Sequence, residues 1–211
     1  MNDANAAPMT TEAASAAFTA EMIHPATDKG VGHQSPFLRK SFQASAVGGG
    51  TLKISALGLY VAFINGKRVG EDLLTPGWTS YWDRLSYQTY DVGALLKDGE
   101  NVIDIWLGDG WYRSRMMWPK NEIVNCWGDK VAAIAELRSA SGDLIVASDD
   151  TWRSGLTPIM KSGIYFGERY DARAEGGDAP DSVTVLSDFD KARLIPHEVN
   201  GVRELEAFAP V

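Results

Sequence analysis

A chain of 211 residues with a net charge of −8 can hold one ordinary domain or one large β-sandwich, and its acidity argues against nucleic acid and against anionic membrane surfaces. Hydrophobic residues at 45% allow a packed core, and the seven tryptophans exceed what a core needs, so some indoles are expected at an exposed site. A single cysteine, Cys126, excludes an intrachain disulfide and reads as a buried small hydrophobe; His24, His33 and His197 lack metal-ligand spacing.

Residues 1–21 are rich in Ala, Thr and Ser and read as a disordered or weakly helical tail. They carry neither the basic nor the continuous apolar region of a signal peptide, so a cytoplasmic location is expected, with a periplasmic one as the alternative. No run is long and apolar enough to span a bilayer. Residues 35–42 form a first strand entered through Pro36, which suits a sheet edge. After the turn at 48–50, Leu52, Ile54 and Ala56 alternate with polar residues, the period of a half-buried strand. Past Gly58 the apolar set moves to Leu59, Val61 and Phe63, and this change of parity predicts a bulge near Gly58. Asn65-Gly66 is a hairpin signal, because both central positions of a type I′ turn need positive φ; residues 67–69 would return.

Residues 70–84 form a long connection containing Pro76-Gly77. A strand over 87–92, a helical turn at 93–96 and a turn at 97–101 lead into a strand over 102–107, where Ile103, Ile105 and Leu107 share a face. A loop over 108–129 is rich in Trp and Asn, and strands follow at 130–139, 144–148 and 152–155. Residues 175–190 are acidic and irregular, and a short strand-like piece lies in the tail from 194. Short strands at this spacing, with no amphipathic helix, indicate an all-β antiparallel sandwich. Its expected limits are 22–193, with 194–211 beginning a linker or a next domain.

Residues 90–103, YDVGALLKDGENVI, resemble a signature of galactose-binding-domain-like jelly rolls, which accompany many glycoside hydrolases. A longer pattern is more specific. Residues 55–60, 64–70, 74–81, 87–92 and 108–113 stand in the order of the N-terminal β-sandwich of bacterial α-L-rhamnosidases, the inverting hydrolases of glycoside hydrolase family 78, and together they resemble it. The flanks at 35–40, 164–173 and 201–211 resemble that module too, so the likeness covers roughly residues 22 to 211. In that family the general acid and base are carboxylates on a downstream (α/α)6 barrel, before which this chain stops. The resemblance therefore implies a non-catalytic module, with L-rhamnose or a rhamnoside glycan as ligand and a C-terminal catalytic domain as partner. Some relatives bind rhamnose through calcium; Glu71, Asp72, Asn121 and Asn125 are oxygen ligands of the right type, although their spacing is not that of a self-contained calcium loop.

The candidate ligand residues are Asp109, Trp111, Tyr112 and Arg113, just past a strand end, with Trp82 and Asn121. Aromatic rings suit the C–H faces of a pyranose, and a carboxylate or guanidinium fork suits vicinal hydroxyls. The alternative is a loop plug in which Trp111 covers the sandwich end and Asp109 caps local amides. Trp78, after Pro-Gly, reads as a buried anchor of the long connection, and Trp82 as the exposed ring of its cluster. Asn121 lies in a loop that departs from the glycine-rich sequence usual there. Glu168, Asp171 and Arg173 read as an ion-pair cluster pinning a strand, or else as a glycosidase carboxylate pair. Three functions follow: a sugar-binding or supporting module, a purely structural interdomain module, and a stand-alone glycosidase or lyase.

Overall fold

The computed structural model describes residues 18–117 and 122–209. It is an antiparallel jelly-roll β-sandwich. One sheet has five strands in the order β10 (Arg153–Leu156), β2 (Pro36–Ala44), β7 (Gly99–Gly108), β4 (Leu59–Ile64) and β5 (Lys67–Arg68). The other has seven. Its order is β13 (Val183–Val185), β1 (Ile23–Pro25), β8 (Ala132–Arg138), β3 (Thr51–Leu57), β6 (Leu85–Asp91) and β14 (Leu194–Pro196), with β9 (Leu144–Ala147) also on β8. The hairpin of β11 (Ile159–Gly163) and β12 (Gly167–Tyr170) stands apart from both.

The core sits between the sheets and follows the period of two. Leu52, Ile54 and Ala56 of β3 face Ile103, Ile105 and Leu107 of β7, and all six are buried. The hairpin is as expected: Asn65 and Gly66 have φ of 52° and 76°. The Asn65 amide donates to the carbonyl of Leu95 and accepts from the N–H of Val102, which ties the turn to β7.

Four expectations are corrected. Gly58 is a corner and not a bulge: β3 ends in one sheet and β4 begins in the other. The core set of β4 is Tyr60, Ala62 and Ile64, while Leu59, Val61 and Phe63 face outward. Gly58 is needed there because its φ is 111° and a Cβ would lie 2.4 Å from the carbonyl oxygen of Gly108. Second, β2 is interior, flanked by β10 and β7; Pro36 is tolerated because it is the first residue of the strand. Third, Cys126 is exposed. The fourth concerns the chain ends. Residues 1–17 lie outside the described residues, but Phe18 and Ala20 are buried in a second apolar cluster with Tyr81, Leu85, Ile134 and Leu194, which covers the outer face of the seven-stranded sheet. Leu194–Pro196, read as the start of a linker, pairs in parallel with β6. The loop at 108–129 also contains one helical turn, α1 (Gly110–Arg113).

The N-terminal segment is held by a carboxylate on β8. Glu136 accepts hydrogen bonds from the N–H groups of Thr19 and Ala20 and pairs with Arg138 at 2.7 Å. Burial opposes its ionisation, but these bonds outweigh burial and hold its pKa below the usual value.

Candidate functional site

The loop from Leu73 to Trp78 is fixed to β4 at its centre. Thr75 accepts from the N–H of Tyr60 through its carbonyl and donates its hydroxyl to the Tyr60 carbonyl, 2.8 Å away. This leaves the loop's last residue projecting: Trp78 is 65% exposed, which corrects the expectation of a buried anchor. The anchoring ring is Tyr81, buried to 2% exposure against Tyr112 and Trp127. Beside Trp78, α1 presents Trp111, with ring centroids 6.5 Å apart and planes 15° from parallel.

The facing wall comes from the chain's other end. After β14, the N–H of His197 donates to the carbonyl of Tyr87, and the N–H of Leu73 donates to the carbonyl of Val202 at 2.7 Å. These two bonds bring residues 197–202 against the loop and leave an open pocket of about 250 Å³ between them, with Trp78, Trp111, His197 and Asn200 among its lining. Trp82 is exposed as expected, but it packs on Trp127 at 4.5 Å and does not line this pocket.

Asp109 and Arg113 are brought together, but inward. Both are buried; the Arg113 Nε donates to the Asp109 carboxylate at 2.6 Å. The Arg113 terminal nitrogens hold the carboxylate of Asp28, and the second Asp109 oxygen accepts from the N–H of Gly32. One guanidinium between two carboxylates locks α1 to the turn at 28–32, so neither residue has a free fork for sugar hydroxyls. Burial works against ionising Asp28, yet the Arg113 hydrogen bonds and charge prevail and lower its pKa. Tyr112 is buried as well, and its hydroxyl stands where a Cβ on Gly128 would be. Asn121 lies outside the described residues.

The remaining candidates stay apart from the pocket. Asp171 accepts from the backbone and side chain of Arg173, two residues on, and caps a turn rather than pinning β12 to a neighbour. The Arg173 bonds lower the Asp171 pKa, the direction opposite to that needed by a general acid. Asp72 accepts from Arg203 Nε at 2.9 Å and from the Tyr90 hydroxyl. Among the described residues no three His, Cys, Asp or Glu side chains gather as a metal site.

His197 and Asn200 were missed by sequence reasoning as residues of this pocket, as was the exposed Trp78. The parallel pairing of β14 with β6 and the Leu73–Val202 bond bring the tail to the loop, and no local motif encodes either.

The family model described as "Alpha-L-rhamnosidase N-terminal domain" matches residues 45–207. A Streptomyces avermitilis protein named alpha-L-rhamnosidase is 38% identical over 128 residues, which is 59% of this chain and 12% of that protein. One from Formosa agariphila, also named alpha-L-rhamnosidase, is 36% identical over 146 residues, 68% of this chain and 16% of its own length. The chain thus spans less than a fifth of either relative. Among solved structures, the native α-L-rhamnosidase of Aspergillus terreus superposes with a TM-score of 0.74 at 36% identity, covering 83% of this chain and 22% of that one. The S. avermitilis α-L-rhamnosidase complexed with L-rhamnose gives 0.66 at 33% identity, covering 74% and 16%.

Proposed function

Because the chain belongs to the alpha-L-rhamnosidase N-terminal domain family, we propose that it is a non-catalytic module of such an enzyme and that it holds L-rhamnose or a rhamnoside on Trp78 and Trp111. One observation carries this reading: two near-parallel indoles, one of them largely exposed, at the wall of a pocket of monosaccharide size. An exposed indole is unfavourable until an apolar surface covers it, and the C–H face of a deoxy sugar supplies that surface. His197 and Asn200 across the pocket supply hydrogen-bonding groups for the hydroxyls. Hydrolysis belongs to the remainder of the longer enzyme, which is the module's covalent partner.

The test is titration calorimetry of the chain with L-rhamnose, D-galactose and D-glucose, on the wild type and on Trp78→Ala. The reading expects heat with L-rhamnose that Trp78→Ala removes. No heat with any of the three sugars would overturn it. A second reading, support of a neighbouring domain, is favoured by the exposed apolar side chains of Val199, Leu205 and Phe208 in the tail.

A further inference from the structure

Leu73, Leu74 and Val202 line the Trp78–Trp111 pocket on one side and a second, larger cavity on the other. That cavity is a groove of about 520 Å³ on the outer face of the five-stranded sheet. Its floor is Leu59 and Val61 of β4 with Trp106 of β7, and Ile159 of β11 closes one side. β4 is thus apolar on both faces, where an antiparallel strand with one solvated face would alternate with polar residues. The volume falls within the range of small-molecule sites, roughly 300–1,000 Å³, and the lining has their character: mostly apolar, with a few polar groups. Arg68 and Glu168 contribute one charge of each sign.

The wall shared by the two cavities is itself apolar at its crest. Leu74 is 45% exposed and Val202 57% exposed. Leu74 is held at a φ of 55°, a conformation that is costly for a leucine and that sets its side chain on the rim of both cavities.

We propose that pocket and groove are two halves of one site for a glycoside with an apolar aglycone: the sugar lies on Trp78 and Trp111, and the aglycone crosses Leu74 and Val202 to rest on Leu59, Val61 and Trp106. This rests on the sugar-binding reading above and narrows its ligand class. A second sugar in the groove would lose hydration of its hydroxyls over a floor that offers few partners, whereas a planar aromatic group loses little.

The experiment is calorimetry of the whole chain with free L-rhamnose and with 1-naphthyl α-L-rhamnoside. The aryl rhamnoside is expected to bind at least about tenfold more tightly than the free sugar, from apolar area buried in the groove. Val61→Asp, which places a charge on the floor, should abolish that difference. The isosteric Val61→Thr, which disturbs the strand less, should reduce it. Equal affinity for the two ligands in the wild type overturns the bipartite site and leaves the sugar reading standing. A preference that neither Val61 variant changes also overturns it, since the ring would then lie elsewhere. Binding of neither ligand overturns both.

Discussion

The indole of Trp78 lies 15° from parallel to that of Trp111, with centroids 6.5 Å apart, although the two belong to a loop before β6 and to the turn after β7. Rings supplied by two separate loops, with one left 65% exposed, form a platform more readily than a core plug. Trp152 is the internal contrast: it is 1% exposed and its indole N–H donates to the carbonyl of Ala147.

The two tryptophans should therefore respond oppositely to truncation. Trp78→Ala is expected to change unfolding stability by less than about 0.5 kcal/mol while lowering sugar affinity at least about tenfold. Trp152→Ala is expected to cost about 3–5 kcal/mol. Urea unfolding of both variants, with calorimetry on the first, checks the pair.

Arg113 stands between the carboxylates of Asp28 and Asp109, and all three are almost fully buried. Arg113→Met leaves two buried carboxylates without a counter-charge and should destabilise the fold by about 3–5 kcal/mol. Replacement of Arg113 with no change in the urea midpoint would mean that the lock between α1 and the turn at 28–32 is not structural.

Stability should fall in acid, and the sign follows from the lowered pKa values of Asp28 and Glu136. A carboxylate with a depressed folded pKa contributes fully above its unfolded value, here 3.8 for Asp28 and 4.5 for Glu136. That contribution is lost as the pH falls through the lower folded value. Urea midpoints measured from about pH 7 to pH 2.5 should be level at the upper end and drop below these unfolded values. Glu136→Gln should start lower at neutral pH and show a shallower drop.

Two glycines with positive φ separate a packing requirement from a conformational one. Gly58 has φ 111° and a Cβ there would be 2.4 Å from the Gly108 carbonyl oxygen, so Gly58→Ala is expected to cost about 3 kcal/mol or more. Gly66 has φ 76° with nothing within 4 Å of such a Cβ, so Gly66→Ala should cost about 1 kcal/mol. Similar losses in urea unfolding would refute the corner between the sheets as a close backbone contact.

Period-two patterns were readable wherever one face of a strand is polar. β3 and the Asn65-Gly66 hairpin followed directly, and so did the inner face of β7. β4 was misread because Leu59, Val61 and Phe63 are as apolar as Tyr60, Ala62 and Ile64, and periodicity cannot say which set is inside. Asp109 and Arg113 were read as groups for sugar hydroxyls, whereas they pair with each other inside the fold, and the buried partner Asp28 lies 85 residues before Arg113 and has no local signal. Exposure of a tryptophan is likewise a property of the loop's anchoring. Thr75 and Tyr81 bind the loop and free Trp78, an arrangement legible only once Tyr60 is placed beside Thr75.

The most direct measurement is an NMR titration of the tryptophan indole N–H resonances with L-rhamnose. The Trp78 and Trp111 signals should shift saturably while that of Trp152 stays fixed. An unchanged spectrum, or shifts at Trp82 and Trp127 with Trp78 and Trp111 unmoved, would contradict a sugar site between the Leu73–Trp78 loop and the tail.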